Sequence, residues 1–155
     1  MVANVPESAS VLHPSRGFRL TWGEAAVDRV RCVLRCRDKF LLADHGHRSK
    51  EEKWGLPGGR LLPREEPLVA LRRELVEELR LQPSTILEVG DWWHRDENYR
   101  IYGSRIARAV RWFDERELAA VAWLGHDEVA ALAAAGSLHK GFELEAIAEF
   151  QRRYP

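Results

Sequence analysis

The sequence predicts an α/β protein in which a mixed β-sheet carries helices on its faces. Short segments rich in β-forming residues lie before and after one central amphipathic helix, and two further helical segments close the chain. Hydrophobic residues make up 45% of the 155 residues and charged residues 31%, which is ordinary for a globular protein with its own core. We expect one domain over residues 17–155, preceded by a flexible arm over residues 1–16.

Residues 28–37 form the first clear strand of the prediction, because apolar side chains recur there at every second position. A turn is expected to lead into a partner strand over residues 39–43. The two cysteines, Cys32 and Cys36, would lie about 13 Å apart on one strand, which is too far for a disulfide between them. We interpret both as small core residues in a reducing compartment and therefore expect a cytoplasmic protein.

The remaining segments are predicted from local composition. A polar loop over residues 45–53 is expected to expose His45, His47 and Arg48 to solvent. Gly103 is expected to mark a bulge or kink in a long strand. The predicted strands of this part span residues 86–93, 99–112 and 121–124, and the predicted helices span residues 127–135 and 142–152.

The central helix is predicted over residues 67–79, with Pro67 near its start. Leucines at positions 68, 71, 75 and 79 draw one apolar stripe. Glu74, Glu77 and Glu78 gather on another side, close enough to share one bound ion. An acidic face on an ordinary surface helix is the alternative, but the Gly58-Gly59 turn that precedes the helix favours approach to a ligand.

The residues around this helix match a known motif. Eight positions resemble the Nudix box, Gly-x5-Glu-x7-Arg-Glu-U-x-Glu-Glu-x-Gly-U, where U is a bulky aliphatic residue: Gly59, Glu65, Arg73, Glu74, Leu75, Glu77, Glu78 and Leu81. The ninth position differs, because Arg80 stands where the family has its second glycine. If Arg80 keeps a left-handed backbone there, we expect a cost of about 1 kcal/mol.

The resemblance implies an α/β/α sandwich and metal-dependent hydrolysis of a diphosphate linkage. It implies that the cofactor is Mg²⁺, with Mn²⁺ as an alternative, and that Arg73 orients a carboxylate. The implied ligands or bases are Glu74, Glu77 and Glu78, with the carbonyl group of Gly58 as a further ligand. Glu65 and Gly59 are expected to brace the loop against the helix. In some members a carboxylate outside the box contributes, and Glu115 and Glu117 are the candidates here.

The substrate is expected to be a small nucleotide. Lysine plus arginine and aspartate plus glutamate number 24 each, so the net charge gives no sign of a nucleic-acid polymer as partner. No apolar run is long enough to predict a membrane span. Trp92 and Tyr99 are candidates to stack on a base, and Arg48 and Arg100 are candidates to bind phosphate. The alternative is that the aromatic side chains belong to the core.

Several substrates of the family remain open: a nucleoside triphosphate, a nucleotide sugar, ADP-ribose or a dinucleoside polyphosphate. A catalytically silent, nucleotide-binding regulatory module is the alternative to an enzyme. Many relatives are dimers, which leaves a homodimer open.

Overall fold

The computed structural model describes residues 19–20, 26–46 and 53–155 and contains a mixed, eight-stranded sheet. The predicted arm over residues 1–16 and the predicted loop residues His47 and Arg48 lie outside the described residues. The strands are β1 (Arg19–Leu20), β2 (Arg29–Cys36), β3 (Lys39–Asp44), β4 (Trp54–Gly55), β5 (Gly58–Arg60), β6 (Leu87–His94), β7 (Glu97–Arg105) and β8 (Ala120–Gly125).

The sheet follows the order β1-β6-β7-β2-β3-β4, with β5 on β2 and β8 on β3. Strands β2 and β7 are parallel, and the other pairs are antiparallel. The helices are α1 (Pro67–Leu79), α2 (His126–Ala134) and α3 (Glu143–Arg153). No helix in the described part of the chain is long and apolar enough to cross a membrane.

Two buried clusters show how the layers are arranged. Alternate residues of β2, including Val30 and Cys32, pack with Leu75 of α1. The opposite face of the sheet packs its apolar residues, such as Val33, with Phe150 of α3. The predicted α/β/α sandwich is therefore confirmed, with α1 on one face and α2 and α3 on the other.

The β2–β3 hairpin opens away from its turn, because its two strands pair with each other over only two residue pairs. Its turn lies at Arg37–Asp38, as predicted, and the two strands pair directly only beside that turn, at Arg35↔Phe40 and Cys36↔Lys39. Farther along, β2 takes β5 as its partner and β3 takes β4. Because the two strands part here, side chains from both faces of the sheet can meet at one place.

The structure corrects the prediction for the long strand. Strand β7 ends at Arg105 instead of continuing to residue 112, and the bulge lies on the neighbouring β6, between Glu88 and Gly90. Gly103 has a different purpose, because a Cβ atom there would lie 2.2 Å from the ring of Phe150. The glycine thus makes room for α3 against the sheet.

Two smaller predictions also need correction. Leu68 is 38% exposed, so the apolar stripe of α1 begins one turn later, with Ala70 and Leu71 buried. Cys36 is only half-buried, whereas Cys32 is buried, and both are free cysteines as predicted.

Helix α1 ends at Arg80 in the left-handed conformation expected for the glycine of the motif, with φ 52° and ψ 38°. The backbone N–H of Arg80 donates to the carbonyl oxygen of Val76 at 2.9 Å, and that of Leu81 donates to Leu75 at 3.2 Å. The guanidinium group lies over the ring of Trp112, 3.9 Å from its centroid. This cation–π contact offsets part of the backbone cost.

We expect Arg80→Gly to change the free energy of unfolding by no more than about 0.5 kcal/mol, because relief of the backbone and loss of the Trp112 contact nearly cancel. In a Trp112→Ala background the contact is already absent, so the same change should stabilise by about 1 kcal/mol. Denaturant unfolding of the four proteins measures both values. Equal effects in the two backgrounds would show that Trp112 does not compensate for Arg80.

Candidate active site

A cavity of 510 Å³ opens where β2 and β3 part, between α1 and the segment that precedes α3. One wall carries carboxylates and the other carries cations and imidazoles. The cavity is lined by Arg29, Arg31, His45, Gly46, Lys53, Gly58, Gly59, Glu74, Glu78, Arg116, Glu117, His139 and Lys140.

Glu74 and Glu78 form the acidic wall, because they stand one helical turn apart on α1. Glu78 is only 3% exposed, and it accepts a hydrogen bond of 3.0 Å from the backbone N–H of Gly58. Burial, together with the negative charge of Glu74, raises the pKa of Glu78 to about 8. Burial also raises the pKa of Glu74, against the opposing effect of Arg73. A buried carboxylate beside a half-buried one favours a bound cation.

The glycine turn allows the backbone to approach these carboxylates closely. Gly58 has φ +141°, and a Cβ atom there would lie 2.1 Å from the carbonyl oxygen of Val30. A Cβ atom on Gly59 would lie 2.4 Å from the carboxylate of Glu74. Position 58 therefore requires glycine, because its φ is positive and the backbone of Val30 lies so close. At Gly59, a side chain would displace the carboxylate of Glu74.

Arg73 connects the turn to the helix. Its guanidinium group donates to both carboxylate oxygens of Glu65 at 2.9 Å, to Glu74 and Glu77 at 3.0 Å, and to the backbone carbonyl of Arg60 at 3.0 Å. These hydrogen bonds raise the pKa of Arg73, and those to Glu65 contribute most. The same pair lowers the pKa of Glu65 to about 2. Glu65 also accepts a hydrogen bond from the backbone N–H of Leu62 at 2.9 Å.

Glu77 does not join the other two glutamates in the cavity. Its side chain is 44% exposed, is held by Arg73, and faces a neighbouring cavity of 1090 Å³. Within the described residues, no group of three or more histidine, cysteine, aspartate or glutamate side chains is arranged as a metal site. Of the three predicted carboxylates, Glu74 and Glu78 line the 510 Å³ cavity, whereas Glu77 lines the neighbouring one and is bound to Arg73.

Outside the box, the two predicted carboxylates differ in position. Glu117 lines the same cavity as Glu74 and Glu78, and its charge contributes to the raised pKa of Glu78. Glu115 lines only the neighbouring cavity. Of the two candidates, the structure therefore places Glu117 beside the acidic wall.

The prediction that His45 is a solvated loop residue is wrong. Its ring stacks on that of His139 with 5.1 Å between centroids, and its Nε2 lies 3.2 Å from the carbonyl oxygen of Leu56. Burial, aided by nearby positive charges, lowers the pKa of His45 to about 3 and that of His139 to about 4. Both imidazoles are therefore neutral at physiological pH.

Three of the predicted substrate contacts are structural side chains. Trp92 is fully buried and donates from Nε1 to Glu145 at 3.0 Å, so its faces cannot receive a base. Tyr99 is buried against Phe142. Arg100 forms a buried two-bond pair with Asp91, at 2.8 and 3.0 Å. The fourth predicted contact, Arg48, lies outside the described residues.

Sequence reasoning missed the basic wall, to which four side chains from three separate segments contribute. Arg29 and Arg31 come from β2, Lys53 precedes β4, and Lys140 precedes α3. The sequence contains one signal for this wall. Arg31 is a charged residue in the middle of β2, and its neighbours on both sides are apolar and buried.

Comparisons with known proteins agree with this geometry. The NUDIX domain matches residues 26–143. A comparison with curated proteins gives no match. Among solved structures, a NUDIX hydrolase from Nitrosomonas europaea superposes with a TM-score of 0.65 at 22% identity, covering 83% of this chain and 90% of that one.

Two further structures share the fold. The NUDIX domain of Shewanella oneidensis NrtR, complexed with ADP ribose, gives a TM-score of 0.66 at 18% identity and covers 85% of this chain and 90% of that one. The MutT protein of Methanosarcina mazei Go1 gives a TM-score of 0.60 at 18% identity and covers 87% of this chain and 100% of that one.

The fold, the box residues and the domain match together define the class: this chain belongs to the NUDIX family. It is a Nudix pyrophosphohydrolase, and its general reaction is hydrolysis of a nucleotide pyrophosphate linkage.

Proposed function

We propose that the chain is a Mg²⁺-dependent hydrolase of nucleoside diphosphate derivatives, with its catalytic centre in the 510 Å³ cavity. The observation that carries the proposal is the pair of the buried Glu78 and the half-buried Glu74, which lie beside the Gly58 turn in a cavity that also holds a wall of cations. Such a cavity matches a substrate whose negative phosphates need charge neutralisation on one side and a bound metal ion on the other.

The donor set of the cavity fits Mg²⁺. Carboxylate and carbonyl oxygens are the ligands that this ion prefers, and it is commonly held by one or two carboxylates together with substrate phosphates and water. Glu74, Glu78 and the carbonyl group of Gly58 would supply these oxygens, so a third carboxylate is not required. The raised pKa values of the two glutamates support this assignment, because a divalent cation would offset their repulsion.

The roles of the side chains follow from their contacts. A bound Mg²⁺ would neutralise phosphate charge and make an attacking water more acidic. Arg73 holds the carboxylate of Glu74 in place and is itself fixed by Glu65, so the acidic wall is positioned before substrate binds. Of the three carboxylates that line the cavity, Glu117 is the one not assigned to the ion, and it would accept the proton of the water. Glu77, held by Arg73 at the rim, orients the arginine.

The test is a substrate panel assayed with Mg²⁺ and with EDTA, using chromatography to resolve the products. The panel contains nucleoside triphosphates, ADP-ribose, nucleotide sugars and dinucleoside polyphosphates. We expect turnover that requires the metal ion and yields products cut between two phosphates. Binding of nucleotide and Mg²⁺ without turnover of any compound would instead indicate a regulatory nucleotide-binding module.

We also propose a cytoplasmic location. The two cysteines, Cys32 and Cys36, are free thiols, which is typical of proteins in reducing compartments.

A further inference from the structure

Arg31 is a buried cation with almost no partner among the described residues. Arg31 is 5% exposed, and its side chain makes one hydrogen bond within the described residues, in which Nη1 donates to the carbonyl oxygen of Val30 at 3.3 Å. No carboxylate of the described residues lies within ion-pair distance of its guanidinium group. Burial of an unpaired charge is strongly unfavourable. A negatively charged ligand that pairs with Arg31 would offset this cost.

The position of Arg31 is fixed by the sheet. It lies opposite Gly58 in the antiparallel pairing of β2 with β5 and beside Ile101 in the parallel pairing with β7. Its guanidinium carbon lies 5.5 Å from the centroid of the Tyr99 ring, which supports the side chain. Arg31 therefore presents its free donors from a rigid central strand, next to the turn that would contact the metal ion.

The same wall carries more positive charge than a single phosphate needs. Arg29 shares the cavity although it also contacts Glu97 at 3.2 Å, and the ammonium group of Lys140 lies 5.8 Å from the Tyr99 centroid. Lys53 is the fourth cation of this wall, so four cations stand against the three carboxylates of the lining. Arg116 also lines the cavity, but it pairs with Asp114 at 2.9 Å.

The residues that line the cavity supply charged groups but few aromatic rings on which a nucleobase could stack. In the described residues its rings are the two imidazoles, His45 and His139, and these stack on each other. Trp92 and Tyr99, the sequence-based candidates for a base, are buried. Recognition by the described part of this cavity must therefore rely on phosphate groups.

We propose that Arg31 binds a substrate phosphate and that the site selects a chain of three or more phosphates, as in a nucleoside triphosphate or dinucleoside polyphosphate. A diphosphate diester such as ADP-ribose or a nucleotide sugar carries less charge, which the metal ion alone would largely neutralise. A longer phosphate chain keeps negative charge for Arg31, Arg29 and Lys140. This inference rests on the proposed function and narrows its substrate.

Arg31→Gln tests the inference, with Arg35→Gln as the matched control on the same strand and face, outside the cavity. We would measure kcat and KM for a nucleoside triphosphate and for ADP-ribose, and the inhibition constant of inorganic tripolyphosphate. Arg31→Gln should raise KM for the triphosphate about 10- to 100-fold, since a charge-assisted hydrogen bond is lost. Tripolyphosphate inhibition should weaken similarly, the loss with ADP-ribose should be much smaller, and Arg35→Gln should behave as wild type.

Arg31→Lys and thermal unfolding separate binding from folding. Lysine should recover part of the tripolyphosphate affinity, which simple loss of packing would not predict. Equal losses for triphosphate and ADP-ribose, or a wild-type preference for ADP-ribose or nucleotide sugars, would overturn the inference while leaving the proposed hydrolysis intact. If the wild type hydrolyses no compound, the proposed function fails. The phosphate site then stands only if wild type binds tripolyphosphate and Arg31→Gln does not.

Discussion

Replacement of Glu78 by glutamine should reduce kcat by about 10³-fold or more while making the metal-free protein more stable at alkaline pH. Loss of the carboxylate removes a ligand for the metal ion and leaves Glu74 alone on the acidic wall. The amide oxygen of glutamine can still accept the hydrogen bond from the Gly58 N–H, so the fold is retained.

The stability gain follows from the sign of the pKa shift. The folded protein holds the proton of Glu78 up to a pKa of about 8, whereas the unfolded chain releases it near 4.5. The stabilising contribution of the protonated group is therefore complete below about pH 4.5, decreases as pH rises, and is lost above pH 8. Glutamine remains neutral throughout, so the variant should gain on the wild type across this interval.

Thermal unfolding in EDTA from pH 5 to pH 9 measures this effect. The midpoint of Glu78→Gln should exceed that of the wild type by an amount that grows with pH and reaches a few degrees. His45 and His139, whose pKa values are lowered, destabilise the folded state as pH falls below 6.5, but equally in both proteins. Glu66→Gln, at an exposed N-cap without a side-chain cap bond, is the control and should leave both kcat and midpoint unchanged. A less stable Glu78→Gln protein at pH 9 would contradict this electrostatic account.

Arg73→Lys should have the second largest effect, with kcat/KM lowered about 100-fold and the free energy of unfolding lowered by about 2 kcal/mol. Lysine keeps the charge, but its single ammonium group cannot hold both oxygens of Glu65 while also contacting Glu74 and Glu77. The carboxylates would then move apart, and the turn would lose its connection to α1.

Arg72→Lys provides the neighbouring control. Arg72 is exposed and donates to the carbonyl oxygen of Pro83 at 3.1 Å, so its replacement should change the free energy of unfolding by about 0.5 kcal/mol or less. Steady-state kinetics and denaturant unfolding of both variants measure these values. If Arg73→Lys retained the kcat/KM of the wild type, the arginine would not position the acidic wall.

The sequence predicted the local parts of this structure well. The residues from Gly59 to Leu81 form a turn and the helix that follows it. Their arrangement depends on contacts between residues that are close in the chain. The resemblance implied a left-handed conformation for the second glycine of the motif, and Arg80 adopts it in that place. The contact with Trp112 could not be foreseen, because it joins residues 32 positions apart.

The non-local parts could not be predicted from periodicity. The basic wall depends on where β2 and β3 part, a property of strand pairing that no single segment reveals. For Trp92 and Tyr99 the alternative of core aromatic side chains is confirmed, because their strands are buried on both faces. Arg100 is not available to phosphate, because it forms a buried pair with Asp91. His45 was misread because its partner, His139, comes from the far end of the chain.

The central claim is that Glu74, Glu78 and the Gly58 turn form the metal centre of the enzyme. Anomalous X-ray scattering from crystals grown with Mn²⁺ and a non-hydrolysable nucleotide tests it most directly. We predict one ordered Mn²⁺ bound by Glu74 and Glu78, with the carbonyl group of Gly58 as a ligand, and loss of this ion in Glu78→Gln. An ordered Mn²⁺ and nucleotide in the neighbouring 1090 Å³ cavity that Glu77 faces, with no ion at Glu74 and Glu78, would contradict the account.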